Sequence, residues 1–261
     1  ANGITWINTA ITVLTNGIYD VYWSSNNLLF VAGGAITGGR NIGVSIDGIH
    51  WVAVASPITG IVYAVTFSIS QQRWVAVGAN SIAYASFPAG TWTAATGGSS
   101  VPNFGVCFSE PLGLYLAVGS RATNFNTVVN STNGLTWIGL GQPVFNGATA
   151  QGSSCEYGNG TFVLSGSGAS TTDYLATSTN GATFVGRGKG PFTTGVNTVF
   201  YGDYLKRWYA AGEGTVNFAQ SSDNGVTWAS FGGTPFTTRC NEMAEYFTLS
   251  LAHTKSIHER N

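Results

Sequence analysis

Asp223 stands in the stretch Ser221–Trp228, SSDNGVTW, where a carboxylate set among hydroxyl residues could serve a reaction as general acid or base. The stretch returns as Ser45–Trp51 (SIDGIHW), Ser131–Trp137 (STNGLTW) and Ser178–Phe184 (STNGATF), with Asp47, Asn133 and Asn180 in the place of the acid. An amide cannot act as acid or base, and a catalytic group has no reason to recur around a chain. What recurs is an acceptor for backbone N–H groups in a tight turn, followed by a glycine that tolerates positive φ. Asp47, Asn133, Asn180 and Asp223 are therefore read as structural turn residues.

Other chemistry finds less support. His50 takes the threonine slot of one such turn, and His253 and His258, five apart, would point to opposite faces of a strand rather than share a metal. Cys107, Cys155 and Cys240 are odd in number, widely spaced and set in apolar strand patterns, which suits small core residues better than disulfides or zinc ligands. No GxSxG elbow, Walker loop or HExxH occurs, and Gly-rich stretches such as Ala32–Asn41 precede no helix that could hold a phosphate. No catalytic residue, metal or cofactor is assigned. The two sequons, at Asn130 and Asn159, are expected by chance in so Asn-, Ser- and Thr-rich a chain.

The elements that position these residues follow from composition and period. Charged residues make up 8% of the 261, against roughly 25% in ordinary soluble domains. Thirty-six glycines and 13% aromatics suit short strands and tight turns. The net charge of −1, without a basic run, argues against nucleic acid, and no apolar run is long enough to insert as a membrane helix. The aromatic closing each turn motif recurs at Trp6, Trp51, Trp92, Trp137, Phe184 and Trp228, every 41–47 residues. Each unit reads as four short strands, a to d, the pattern of a β-propeller blade. The chain opens on the tail of a motif and ends on strands a–c of a further unit. Residues 1–261 are thus expected to form a single all-β, six-bladed propeller, whose sixth blade joins an N-terminal strand d to C-terminal strands a–c. Its termini should meet on one face. The single methionine, Met243, and the start at Ala1 suggest a processed chain.

The motif resembles the Asp-box, S-x-D-x-G-x-T-W, of sialidase-like propellers. SSDNGVTW matches it fully, three copies vary, and Ser86–Trp92 (SFPAGTW) is degenerate. The resemblance implies that c–d motif turns share the bottom face with a–b turns, while b–c and d–a loops form a ligand-bearing top face. Top-face candidates are Arg40, Asn41, Arg121, Asn124, Asp173, Tyr174, Arg187, Lys189, Glu213 and Arg239. A sialidase would need three converging arginines, a Tyr–Glu nucleophile pair and an acid/base Asp. The arginine motif expected near the start of such enzymes is absent, and the loops look short. Arg40 and Arg121 begin away from the axis, Arg187 sits between glycines that leave it unanchored, and Arg239 alone begins an axial strand. No three of the four are expected to converge.

The expected function is a non-catalytic recognition module, lectin-like and binding glycan through top-face loops, outside a cell or on a particle surface. Neutral hydroxyl and amide groups with aromatic rings suit sugars. The alternatives are a structural or attachment protein of a viral or phage particle, with a protein partner on the top face, and a sialidase-like glycosidase. Oligomeric state has no sequence signature here.

Overall fold

Apolar runs of six to nine residues, punctuated by Gly- and Asn-rich turns, form antiparallel four-stranded sheets in sequence order. The structure, a computed structural model, describes residues 14, 16–97, 102–120, 127–141, 144–145, 149–168 and 172–230. The first sheet runs β1 (Ile18–Ser24), β2 (Leu29–Thr37), β3 (Arg40–Ser45), β4 (Val52–Val54), and the second β5 (Val62–Ser68), β6 (Arg73–Gly78), β7 (Ile82–Ala85), β8 (Thr93–Ala94). The third holds β10 (Asn103–Ser109), β11 (Leu114–Gly119), β12 (Val128–Ser131) and β13 (Thr136–Gly139), with β9 (Thr96–Gly97) added parallel at its edge. The fourth runs β14 (Gln151–Gly158), β15 (Thr161–Ser167), β16 (Leu175–Ser178), β17 (Val185–Gly186); the fifth runs β18 (Gly195–Gly202), β19 (Arg207–Glu213), β20 (Phe218–Ser221), β21 (Ala229–Ser230). One pairing, Ser167 with Gly195, links the last two sheets. Residues 1–13 and 231–261, to which the sequence reading gives the sixth blade and its closure, lie outside the described residues.

First strands of successive sheets lie side by side: β1 against β5, β5 against β10, β10 against β14, β14 against β18. The innermost strand of each sheet is therefore strand a. Apolar side chains on the facing surfaces of successive sheets are buried against each other, giving four cores among the described residues, each between two sheets. Each takes in the closing aromatic of the later sheet's turn motif: Trp92 between the first and second, Trp137 between the second and third, Phe184 between the third and fourth, Trp228 between the fourth and fifth.

The motif turns share one geometry. The serine hydroxyl accepts the glycine N–H (Gly48 to Ser45 2.9 Å, Gly134 to Ser131 2.8 Å, Gly181 to Ser178 2.8 Å, Gly225 to Ser221 3.0 Å) and donates to the next acceptor side chain. That acceptor, Oδ1 of Asp47, Asn133, Asn180 or Asp223, takes the N–H of His50, Thr136, Thr183 or Thr227 at 2.7–3.0 Å. The indole of Trp51, Trp137 and Trp228 donates back to the motif glycine carbonyl. In the degenerate turn Trp92 keeps this last bond, to Pro88.

The glycines do a second job. Gly134, Gly181 and Gly225 have φ of +70°, +67° and +78°, and a Cβ on them would press on Val75, on Leu114 and on Val163 of the preceding sheet. Arg73 and Gln71 donate to the carbonyls of Asn133 and Thr132, and Asn159 to the side chain of Asn224, so these two motifs are gripped from the sheet before them.

These contacts rank the motif residues. Trp137, 3% exposed in its seam, should cost about 3–5 kcal/mol when replaced by Ala, through lost burial and the cavity left behind. Asp223→Ala should cost about 0.5–2 kcal/mol, the loss of a turn acceptor, in the same urea titration. Hydrogen bonds from the Thr227 side chain and backbone, then from Ser221, hold the Asp223 carboxyl down at about 2. Because the folded value is depressed, its contribution is complete above about pH 4 and disappears as pH falls through about 2. Asp223→Asn should therefore keep the turn and lessen the drop in urea midpoint between pH 4 and pH 2; an unchanged drop would dissociate this carboxyl from acid stability.

Candidate functional site

The five strands β1, β5, β10, β14 and β18 line a channel-like cavity of about 570 Å³, within the ~300–1,000 Å³ usual for small-ligand sites. Each of these strands carries an irregularity at the same place, near its first, top-face end. Pairing with the second strand skips Tyr19, Tyr63, Phe104, Ser153 and Asn197 in turn. A bulge leaves the extra residue unpaired and re-aims its side chain. All five line the channel, and form its upper ring.

That ring is two-sided. Tyr19, Tyr63 and Phe104 make an aromatic arc across the first three sheets, with centroid separations of 5.4 and 5.0 Å and interplanar angles of 85° and 68°. Edge-to-face contacts of this kind are favourable between aromatic quadrupoles and hold ring planes fixed. Ser153 and Asn197 complete the described ring with a hydroxyl and an amide. Below them lie Asp20, Tyr22, Thr66, Ser154, Glu156 and Thr198. Asp20 Oδ2 accepts the Val65 N–H at 2.7 Å and so ties the first strand to the second. Burial raises the Tyr22 phenol above its usual range, and the negative charges of Glu156, Glu110 and Asp20 add to the shift. The channel wall is thus electronegative, and among the described lining residues none is Lys, Arg or His.

Cys107 and Cys155 line the wall between the third and fourth sheets, both as buried free thiols. Burial, a hydrogen bond with Cys155 and the nearby charges of Cys155 and Glu156 push the Cys107 thiol far up, which makes it a poor nucleophile at neutral pH. Among the described residues no group of three or more His, Cys, Asp or Glu could hold a metal.

The described top-face candidates from the sequence stand elsewhere than in this lining. Asn41 is 1% exposed; its amide donates to the carbonyls of Ile58 and Gly60 at 2.7 and 2.9 Å and accepts from Ser56, fastening the loop into the second sheet. Asp173 accepts the Gly188 N–H at 2.7 Å, and Tyr174, 4% exposed, donates to the Thr193 carbonyl at 3.2 Å. Lys189 lies 4.9 Å over the Tyr174 ring. Arg40 begins β3 after a two-residue Gly38–Gly39 turn with φ of +57° and +81°, and is exposed. Arg187, expected to be unanchored between glycines, is held: its Nε donates to Thr177 Oγ1 at 2.8 Å and its backbone N–H to the Leu175 carbonyl. The glycines leave the backbone free to pair outside β16, and pairing brings the guanidinium onto Thr177. Glu213 ends β19 at the top. None of these seven lines the cavity. Arg121, Asn124 and Arg239 lie outside the described residues, so convergence of three arginines is not read from this geometry.

The ring of bulged residues had one sequence signal: the aromatic at the same place in YD, YA and FG, just ahead of each apolar core of strand a. It reads as ordinary alternation until the register with strand b is known. For Tyr174, the expected change is structural. Tyr174→Phe should lower stability by about 0.5–1.5 kcal/mol through the lost bond to Thr193, measured by urea titration, and leave ligand binding as it was.

No protein-family model and no curated protein matches the chain. Solved structures do. A GH74 enzyme of Niastella koreensis superposes with a TM-score of 0.55 at 17% identity, over 82% of this chain and 31% of that one. The GH74 xyloglucanase of Xanthomonas campestris superposes with a TM-score of 0.56 at 16% identity, over 79% of this chain and 31% of that one. The chain thus spans less than a third of either neighbour, and the likeness at this identity is one of fold: the described sheets are those of a β-propeller.

Proposed function

We propose that the protein is a non-catalytic recognition domain that binds glycan at the top mouth of its channel, outside a cell or on a particle surface. The observation that carries this reading is the mouth itself, where three aromatic rings face a hydroxyl and an amide above a cavity of about 570 Å³. Sugars present apolar C–H faces and hydroxyl edges, and such a lining answers both. The solved neighbours are titled as glycoside hydrolases, one of them a xyloglucanase, which supports a carbohydrate ligand without supplying an activity. Turn motifs such as that of Asp223 serve this function only by holding the sheets.

The non-catalytic part of the reading draws on the carboxylates. Asp20 is engaged with the Val65 backbone, and Arg40 and Arg187 stand in different sheets away from the channel. A second reading, a structural or attachment protein of a viral or phage particle, draws on the opposite face. There Leu28, Ile46, Leu112, Tyr204 and Leu205 are exposed apolar side chains in the a–b and motif turns.

A glycan array followed by calorimetry tests the first reading. The expected outcome is a reproducible preference for one group of glycans and no release of fluorophore from a sialoside or from aryl glucosides. Silence across the array would favour the attachment role, and turnover would make the protein an enzyme.

A further inference from the structure

Resting on the glycan-binding reading, we infer that the bulge-built arc Tyr19–Tyr63–Phe104 is a stacking subsite that takes one uncharged pyranose per molecule and turns anionic sugars away. Three independent features lead there.

The first is asymmetry. The same backbone irregularity occurs in all five described inner strands, so the scaffold offers equivalent positions around the axis. Side chains break the equivalence: rings on the first three sheets, Ser153 and Asn197 on the fourth and fifth. A ligand with an apolar face and a hydroxyl edge fits this mouth in one sense only, lying off the axis against the rings with its hydroxyls towards Ser153 and Asn197. Repeated sugar sites, one per blade, would need the rings repeated too. Stoichiometry is therefore one.

The second is preorganisation. Tyr63 is held edge-to-face by Tyr19 on one side and Phe104 on the other, so its plane is set before any ligand arrives. Tyr19 is 49% exposed at the rim and keeps ring surface for contact, whereas Tyr63 and Phe104 are half-buried and form the wall behind it. Rings already immobilised lose little rotamer freedom on binding.

The third is charge. Asp20 and Glu156 line the wall just beneath the ring, and both raise the Tyr22 phenol. A sialic or uronic acid seated on the arc would bring a carboxylate towards two others inside a partly desolvated channel, where like-charge repulsion is weakly screened. Neutral hexosides meet no such barrier.

The experiment uses the whole chain and three variants. Tyr63→Leu keeps apolar bulk but removes the ring, Tyr19→Ala clears the rim, and Tyr204→Ala removes an exposed tyrosine of the opposite face. Titration calorimetry with the best neutral oligosaccharide from the array is expected to give a stoichiometry of one. Tyr63→Leu and Tyr19→Ala should each weaken binding about tenfold, a loss on the scale of an aromatic stacking contact, with Tyr204→Ala unchanged. Thermal melts identify any variant that has lost its fold, and for such a variant ring-proton shifts of the parent on adding the sugar replace the comparison. A sialylated form of the same oligosaccharide should bind more weakly than the neutral one. Full affinity in both arc variants, several equivalent sites per chain, or a preference for the sialylated form would each overturn the inference while leaving glycan recognition in place. Absence of binding to any glycan would overturn recognition itself, and the inference with it.

Discussion

A four-stranded sheet with two apolar faces is not stable until something covers each face, and in this protein each sheet is covered by the next. The covering surface is the dominant interaction. Seams between successive sheets hold Val31, Trp74, Leu116, Phe162 and Trp208 essentially out of water, at side-chain burial worth about 1.5–3 kcal/mol apiece by transfer arithmetic. No single sheet can secure that burial alone, so each depends on its neighbours. The turn motif belongs to the same seam: its aromatic fills the space between sheets and its glycine lets the preceding sheet approach. The acid or amide ahead of it organises the turn from outside, in water, and contributes less.

Radial packing of this kind leaves the inner strands as the place where function can be written. Their outward neighbours are set by the seams, whereas the side chains that line the cavity are less bound to the packing of the sheets. Bulging at the top of each of the five described inner strands turns one residue per sheet into that space. Because the bulge is a backbone device, the residue placed on it is free to vary without disturbing the ladder. Rings stand on one side, neutral polar groups on the other, and carboxylates below.

The d–a and b–c loops, in contrast, are largely occupied with structure. Asn41 uses both ends of its amide to fasten the loop that joins the first sheet to the second, and Asp173, Tyr174 and Arg187 are each engaged with nearby backbone or side-chain groups. Loops in so charge-poor a chain have few long side chains with which to bridge sheets. Short polar groups therefore serve as fasteners, and top-face polarity alone is a poor guide to a binding site.

The repeat, the four-strand unit, the turn role of Asp47, Asn133, Asn180 and Asp223 and the seam position of Trp92, Trp137 and Trp228 were all legible in the sequence by itself. They depend on local period and local hydrogen bonding, which neighbouring residues write directly into the chain. The alignment of Tyr19, Tyr63 and Phe104 into one arc was not. Those residues lie about forty apart in sequence, and each looks like one more member of an alternating strand. Only the pairing register of strand a with strand b shows that each is the unpaired extra residue, and only the side-by-side packing of the first three inner strands brings each ring within about 5 Å of the next. Register and sheet-on-sheet packing are settled by burial between sheets, a property that no single segment of the chain possesses.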